Sequence, residues 1–402
     1  MDTITHGIAG ALIGKAVCRG ENMFSMRAMN KQRIVTWSLM IGAIFPDADT
    51  FRDMFSHNEL LMITWHRSIT HSLVCLPVWA LLLAALTRWI ARRFKWEAPS
   101  YAALVGIYAL GILSHIFLDL VTTFGTMIWS PLQWSRPAWD IIFIIDFTFT
   151  ALLLLPQMLA WAYQDHERHK KRVFAIWLLL LPVPLLIARI GLIVGAPIEA
   201  RFIVGAALLL SAAFLIPAML GWGVRVRYVT WNRAGLLAAS CYLLAAFYAH
   251  QVALDRVKKF AALENLEVMS ISALPLPPSP WHWDGLVNTP RGVYEMRMDL
   301  SATAASALSS AGTVPMEYSF YPDALPNRWI AQAQSLPEVQ KVLWFHRFPV
   351  TRFRKEGDEV IVEISDLRFP KIRRDRPASF TYQVRFAGDG TVLSQGWKKL
   401  KK

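Results

Sequence analysis

The sequence predicts a mainly α, polytopic membrane helix bundle followed by a small β-rich (α+β) soluble domain. Three observations support this fold class. The chain of 402 residues is 54% hydrophobic and only 18% charged, against about 25% charged residues in a typical soluble domain. It contains apolar runs long enough to cross about 30 Å of hydrocarbon. After residue 254 these runs stop, and polar and apolar residues alternate as they do in strands.

The apolar runs predict the membrane elements in chain order. Two short stretches, 4–17 and 34–46, are below the length of a simple span. They are interpreted as half-helices, a re-entrant pair or short helices that lean on the bundle. The six longer runs that follow are predicted to span the membrane, and they cover 69–91, 100–120, 141–162, 173–195, 202–223 and 234–254.

The predicted organisation has four parts. Residues 1–155 hold most of the polar motifs and form the membrane core, and residues 156–254 add further transmembrane helices. Residues 255–280 form a linker that ends in PLPPSP, a sequence typical of a stiff extended segment. Residues 281–402 form the β-rich domain, with turn sequences such as AGDG between strand-like runs.

The net charge of +13 indicates membrane orientation and not nucleic-acid binding. The short loops on one side of the predicted spans hold 16 Lys and Arg residues, whereas the loops on the other side hold four. By the positive-inside rule the first side is cytoplasmic, and the C-terminal domain then lies on the extracytoplasmic side. No nucleic-acid partner is expected. Three cysteines are too few for a disulfide framework or a Cys-rich zinc site.

Ionisable residues gather in and beside the first apolar runs, where they are costly and by default indicate function. The alternation of spans places these groups at one face of the membrane, the extracytoplasmic one, which predicts a single site. The groups are Asp2 with His6, Asp47 with Asp49, His66 with Arg67 and His71, His115 with Asp119, and Asp140. Asp146 lies deeper in its span, and its role, as an outer partner of the site or in an ion pair with Arg189, stays open.

The residue types and their spacing predict a divalent-metal site. His115 and Asp119 are four residues apart and share one face of a helix. Asp47 and Asp49 follow Pro46, which favours a break from helix, so both carboxylates can turn toward one ion. Imidazole and carboxylate ligands favour Zn²⁺, with Mn²⁺, Fe²⁺ and Mg²⁺ as alternatives. The predicted ligands of one or two ions are His6, Asp47, His66, His71, His115 and Asp119.

The predicted reaction is hydrolysis of a phosphate ester of a membrane lipid or lipid-linked substrate by metal-activated water. Asp49 is predicted to act as a base and Arg67 to hold phosphate oxygens, and Asp140 is the third predicted catalytic residue. An amide or acyl ester is an alternative substrate. Two other classes of protein are also compatible with the sequence, namely a transporter or ion pathway and a non-catalytic scaffold with a structural metal.

Four ordered motifs resemble the YdjM-like family. They are MDTITHGIAG at the start of the chain, FPDAD, HRSITHS and HIFLDLVTTFG. The family comprises bacterial inner-membrane proteins described as metal-dependent hydrolases, some of them named LexA-binding. The resemblance covers roughly residues 1–155 and implies a multi-pass protein of the bacterial inner membrane with hydrolase activity.

The order of His and Asp residues is also similar to that of the zinc-dependent phospholipase C and single-strand nuclease superfamily. That similarity implies phospholipase-like chemistry. The chain lacks the downstream His-rich stretch of that superfamily, and this departure favours one or two ions over three.

Overall fold

The computed structural model confirms the predicted fold class, with a helical part followed by two small antiparallel sheets. It describes residues 1–17, 31–54, 56, 58–194, 198–277, 280–300, 317–369 and 380–398. The helices of the first part are α1 (Thr3–Val17), α2 (Lys31–Ile44), α3 (Thr50–Met54), α4 (Leu61–Thr64), α5 (Leu76–Arg93), α6 (Tyr101–Leu120), α7 (Phe147–Tyr163), α8 (His169–Leu180), α9 (Val183–Val194), α10 (Ala200–Met219) and α11 (Tyr228–Leu263).

Four helices in the described part of the chain are long and apolar enough to cross a membrane. A fifth crossing results if the bent pair formed by Leu61–His71 and Leu76–Arg93 is one span, with a bend of 70°. The four helices are α6, the α8–α9 segment His169–Arg189, α10 and α11.

The observed helices begin and end at different places from three of the predicted spans. The run 141–162 becomes helical only at Phe147, because the Asp146 side chain accepts a hydrogen bond from the Phe149 N–H and caps the helix. The resulting α7 has 17 residues and is an apolar helix shorter than the four spanning helices. In the run 173–195, Pro182 lies at the break between α8 and α9.

The third difference lies in the run 69–91, where continuous helix begins only at Leu76. The first part of that run forms a 3₁₀ turn, Ile69–His71, and a further turn. A second 3₁₀ turn, Phe45–Asp49, follows α2 and contains Pro46. Both turns carry residues that the sequence assigned to the site.

Close packing brings α1, α2 and α6 together. A Cβ atom added to Gly10 of α1 would stand 2.7 Å from the carbonyl oxygen of Leu39 in α2. A Cβ atom added to Gly111 of α6 would stand 2.8 Å from the same oxygen. Glycine at these two positions therefore lets three backbones approach one another, as small residues do in membrane helix bundles. The contact fixes the relative position of the helix ends that lead into the predicted site.

The segment predicted as a linker, 255–280, is mostly regular structure. Helix α11 continues beyond the predicted span to Leu263, and a strand already begins at Ser270. Pro275 belongs to that strand, which is the edge strand of its sheet. An edge strand tolerates a proline because its unpaired side needs no N–H donor.

The C-terminal domain consists of two four-stranded antiparallel sheets and two short helices. The strand order is β1-β2-β3-β4 in the first sheet, which packs on the end of α11, and β5-β6-β7-β8 in the second. The elements are β1 (Ser270–Leu276), β2 (His282–Thr289), β3 (Gly292–Asp299), β4 (Tyr318–Pro322), α12 (Arg328–Ser335), α13 (Pro337–Phe345), β5 (Pro349–Glu356), β6 (Glu359–Asp366), β7 (Thr381–Phe386) and β8 (Val392–Trp397).

The second sheet shares its hydrophobic core with the helical part. Leu60, Ile63 and Phe124 of the helical part pack in one cluster with residues of α12, α13 and the second sheet, among them Phe345. The C-terminal domain is therefore packed directly against the loops that carry the predicted site.

Candidate metal centre

Four of the predicted ligands meet at one point, and they are called the ligand group below. Asp47 comes from the 3₁₀ turn after α2, and His71 comes from the 3₁₀ turn before α5. His115 and Asp119 come from the last turns of α6, on one face as their spacing predicts. One ligand atom of each residue lies within 4.8 Å of the other three, and all four residues are buried. The group could hold a metal ion.

Five of the six separations between the ligand atoms lie between 3.0 and 3.5 Å. Nε2 of His115 lies 3.0 Å from Nε2 of His71, 3.3 Å from Oδ2 of Asp119 and 3.5 Å from Oδ1 of Asp47. Nε2 of His71 lies 3.3 Å from the same Asp119 oxygen and 3.5 Å from the same Asp47 oxygen. Ligands bound at about 2.0–2.1 Å around a tetrahedral zinc ion stand roughly 3.3 Å apart. These five separations are of the size expected for ligands of one metal ion.

Hydrogen bonds on the far side of each imidazole favour the tautomer that a metal requires. Nδ1 of His115 donates to the carbonyl oxygen of Ala43 at 2.7 Å, and Nδ1 of His71 lies 3.0 Å from Oγ1 of Thr70. With the proton on Nδ1, each ring presents the lone pair of Nε2 to the centre. Two lone pairs that face each other at 3.0 Å repel unless a cation lies between them.

A further buried atom in the centre lacks a partner. Oδ2 of Asp119 accepts no hydrogen bond within the part of the chain that the structure describes, although it lies close to both imidazoles. A buried carboxylate oxygen without a donor is costly unless a cation compensates it. The donor set and its unsatisfied atom both fit a divalent ion.

Asp49 lies beside the ligand group and connects two histidines. Its Oδ1 accepts a hydrogen bond from Nδ1 of His66 at 2.9 Å, and its Oδ2 lies 3.4 Å from Nδ1 of His71. The hydroxyl of Thr70 and the backbone N–H of Arg67 also donate to Oδ2. His66, a predicted ligand, is thus bonded to Asp49 and lies outside the ligand group.

The other oxygen of Asp119 faces a set of donors. Nη2 of Arg67 lies 3.0 Å from Oδ1 of Asp119, and Nε2 of His6 lies 3.2 Å from it. The amino group of Met1 also donates to this oxygen. His6 stacks on His115 with ring centroids 3.6 Å apart, and it too lies outside the ligand group. Asp119 therefore joins the ligand group to a cationic neighbourhood through its two oxygens.

Arg67 is held rigidly between these elements. Its backbone has a positive φ of 63°, which is uncommon for a residue with a side chain and often marks functional sites. Its Nη1 donates to Oγ1 of Thr122, and its carbonyl oxygen accepts from the Met127 N–H. The side chain is buried, and its positive charge forms an ion pair with Asp119.

The two carboxylates of the FPDAD turn are kept ionised by their surroundings. Burial alone would raise the pKa of Asp47, but when no ion is bound, protons on Nε2 of His115 and His71 outweigh it and hold this pKa well below its usual range. Burial likewise opposes ionisation of Asp49, and hydrogen bonds from His66 and His71 lower its pKa below the usual range. Both carboxylates are thus suited to accept hydrogen bonds or to bind a cation.

Asp140, which the sequence assigned to catalysis, forms an ion pair with the C-terminal domain. Nη1 and Nη2 of Arg347 donate to its two carboxylate oxygens at 3.0 and 2.8 Å, and the Ser272 hydroxyl donates at 2.8 Å. The structure does not bring Asp140 into the ligand group. Asp146 is likewise outside the group, since it caps α7 and accepts a hydrogen bond from the Tyr242 hydroxyl at 2.7 Å.

Sequence reasoning missed Arg136, a further arginine next to the centre. Its guanidinium donates to the carbonyl oxygens of Ile63 and His66 and lies 4.7 Å from the centre of the Phe124 ring. The guanidinium of Arg67 lies 5.0 Å from the centre of the same ring. The only signal in the sequence is that Arg136 is the sole Lys or Arg in the apolar loop 120–140.

The comparisons with known proteins bear on the N-terminal part of the chain. Residues 1–192 match the family described as YdjM inner membrane protein, which confirms the resemblance and extends it beyond residue 155. Searches of curated proteins and of solved structures find no match.

Proposed function

Because residues 1–192 match the YdjM inner membrane protein family, we propose that this membrane protein is a metal-dependent hydrolase. Its substrate is a phosphate ester of a membrane lipid or of a lipid-linked molecule. The observation that carries the proposal is the convergence of four buried ligand atoms, with the two imidazole Nε2 atoms 3.0 Å apart. Zinc is the ion that this donor set favours.

The ligand group would hold the ion through two imidazole nitrogens and two carboxylate oxygens. A divalent ion held by these four side chains would need a fifth position for water, whose pKa it would lower, and it would polarise the phosphate ester. The backbone oxygen of Ala43 and the hydroxyl of Thr70 orient the two imidazoles. Such outer partners typically raise metal affinity 10–100-fold.

We assign Asp49 to positioning. A carboxylate whose pKa lies below its usual range is a weak base at neutral pH. Asp49 instead fixes the ring of His66 by accepting its Nδ1 proton and supports His71 from the other side. His66 is then the residue we assign to proton transfer, through its Nε2.

We assign Arg67 to charge compensation at Asp119. Its Nη2 lies 3.0 Å from Oδ1 of Asp119, on the side of the carboxylate that faces away from the ligand group. A second ion on this side would meet the positive charge of Arg67. The proposal is therefore one ion per chain, with the charge of Arg67 beside Asp119 in place of a second ion.

The proposal includes the extracytoplasmic location of the centre and of the C-terminal domain in the bacterial inner membrane. The excess of Lys and Arg in the opposite loops supports it. A reporter fused after residue 402 tests it. Activity of a periplasmic reporter agrees with the proposal, and activity of a cytoplasmic reporter contradicts it.

The experiment on function combines metal analysis with a lipid-hydrolysis screen on the purified full chain. We expect one divalent ion per chain and turnover of a phospholipid or lipid-linked phosphate ester. H115A and D47A should lose both the ion and the turnover. A chain that retains its ion in both variants contradicts the proposed centre. An ion without turnover of any ester favours a scaffold with a structural metal, and ion flux in vesicles would favour a transporter.

A further inference from the structure

The metal centre is buried on most sides. The side chains of His71, His115 and Asp119 are inaccessible to solvent. Asp49 and His66 beside them are each 14% exposed, and Thr3, whose hydroxyl donates to the ligand Asp47, is exposed. A substrate that reaches the centre without unfolding it must therefore approach along the edge where Thr3, Asp49 and His66 lie.

The C-terminal domain covers another side of the centre. The indole nitrogen of Trp397 donates to the carbonyl oxygen of Glu59 at 2.8 Å, and Arg368 donates to the carbonyl oxygen of Thr123. The ring of Phe345 lies 5.3 Å from that of Phe124, which follows the last turn of α6. These contacts close the approach from the side of the C-terminal domain.

The open edge is bordered by exposed apolar side chains. Phe51, two residues after Asp49, is 62% exposed, and Trp65, next to His66, is also exposed. Ile4 is 75% exposed and follows Thr3, whose hydroxyl donates to Oδ2 of Asp47 at 2.5 Å. Together with Arg52 and the exposed Met62, these residues form what we call the entrance rim. Its members are Ile4, Phe51, Arg52, Met62 and Trp65.

The entrance rim carries one positive charge. The guanidinium of Arg52 lies over the ring of Trp65, 4.3 Å from its centre. An arginine stacked on a tryptophan beside apolar side chains is typical of a protein surface at the lipid headgroup level. Exposed apolar side chains also occur on α2, where Trp37 and Ile41 lie one turn apart. A water-filled approach would favour polar residues at these positions.

We propose that the entrance rim is the surface through which an anionic phospholipid of the surrounding bilayer reaches the metal centre. The lipid tails contact Ile4, Phe51 and Met62, and the phosphate passes Arg52 toward the Asp49–His66 edge. The proposal rests on the proposed function and names its substrate class. It also gives the C-terminal domain a role, because the domain closes the aqueous side and leaves the bilayer side open.

The first test asks whether the rim lies in lipid. Cys18, Cys75 and Cys241 are replaced by serine, and a nitroxide is attached to F51C in the full chain in nanodiscs. We expect strong relaxation by oxygen, which concentrates in lipid, and weak relaxation by a water-soluble nickel chelate. L325C is the matched control, since Leu325 is 84% exposed on the C-terminal domain and should show the reverse. Preference for the nickel chelate at F51C and at a second rim site, I4C, overturns the proposal.

The second test asks whether a lipid phosphate reaches the centre. The full chain is loaded with Mn²⁺ in nanodiscs of phosphatidylcholine and phosphatidylglycerol, and phosphorus relaxation is measured for both lipids and for added inorganic phosphate. We expect the strongest enhancement for phosphatidylglycerol. R52Q should reduce its advantage over phosphatidylcholine about fivefold, the effect of one arginine near an anionic lipid surface. R352Q, on an exposed position of β5, is the control and should leave the advantage unchanged.

The outcomes separate the two proposals. If Mn²⁺ binds and only inorganic phosphate is relaxed, the lipid entrance is wrong while the metal centre stands. If neither Zn²⁺ nor Mn²⁺ binds at one per chain, the proposed function is wrong, and the nitroxide result then decides whether the rim faces lipid. Equal enhancement of both lipids in the wild type and in R52Q contradicts the role of Arg52.

Discussion

Two buried polar clusters lie near the end of α6, and they differ in how their charges are satisfied. In the ion pair of Asp140, both carboxylate oxygens accept hydrogen bonds from Arg347, and Ser272 adds a third. In the ligand group, two imidazoles turn Nε2 toward each other, and Oδ2 of Asp119 accepts no hydrogen bond among the described residues. A cluster complete within the protein indicates a structural ion pair, whereas an incomplete one of this composition could hold a metal ion.

This comparison teaches that position in the membrane does not by itself identify a functional acid. Asp119 and Asp140 both stand beside apolar runs at the same end of the helical part, and the backbone next to Asp140 pairs with the last turn of α6. The two carboxylates are distinguished by the hydrogen-bond donors around them. The predictions below use the same kind of substitution at both clusters.

The largest expected difference is in metal content. D119N removes a charged ligand from the ligand group, so we expect the purified variant to lose its ion almost completely. D140N makes the same chemical change in the ion pair and should keep one ion per chain. Elemental analysis of both variants, with protein concentration from amino-acid analysis, measures the difference. Equal metal content in the two variants would remove the distinction between the clusters.

The next effect concerns stability at the other cluster. D140N leaves Arg347 without its carboxylate partner at the junction of the two parts, and hydrogen bonds to charged groups contribute about 1.5–3 kcal/mol. Arg347 is one-third exposed and can be partly rehydrated, so we expect a loss of about 2 kcal/mol in the free energy of unfolding. Thermal unfolding in detergent measures it.

The control for this prediction is the double variant D140N with R347Q. If the ion pair is the cause, the double variant should be less destabilised than the sum of the two single variants. Additive effects would show that the two side chains act independently.

A smaller effect is expected at Asp49, which supports the ligand group from outside. D49N should weaken metal binding about 10–100-fold, the usual effect of losing an outer partner of a metal-bound histidine. Ion content should recover at saturating metal, unlike in D119N. Competition with a chelator of known affinity measures the shift. D165N, at an Asp with no contact to the centre, is the control and should bind the metal as the wild type does.

The smallest effects concern the packing that holds the centre. G111A introduces a Cβ 2.8 Å from the Leu39 carbonyl oxygen, and overpacking of this kind costs about 1–3 kcal/mol. Gly106 lies on the same helix with open space around it, so G106A should be neutral or stabilise by about 0.5–1 kcal/mol. Opposite signs in the two thermal shifts are the expected result. A similar shift for both variants would show that the α2–α6 contact is not close.

Much of the site could be predicted because its information is local. The i,i+4 spacing of His115 and Asp119 placed both on one face of α6, and the structure confirms this. Pro46 predicted the break that carries Asp47. The composition change after residue 254 predicted the β-rich domain, which begins at Ser270.

The spacing of residues along the sequence could not show which role each carboxylate has in the site. Asp47 and Asp49 were both expected to turn toward one ion, but in a 3₁₀ helix residues two apart point about 120° away from each other. Asp47 therefore faces the ligand group while Asp49 contacts His66. Arg347, the partner of Asp140, is 207 residues away in the sequence. No local sequence pattern could have predicted this pair.

The measurement that tests the account most directly is the X-ray absorption spectrum of the metal in the purified full chain. The account predicts an ion with two imidazole nitrogens and two carboxylate oxygens at about 2.0–2.2 Å, and with a water oxygen as its fifth ligand. One of the ligands is replaced by water in H115A if any metal remains. Sulfur ligands, a six-oxygen shell, or a spectrum unchanged in H115A would contradict the centre formed by Asp47, His71, His115 and Asp119.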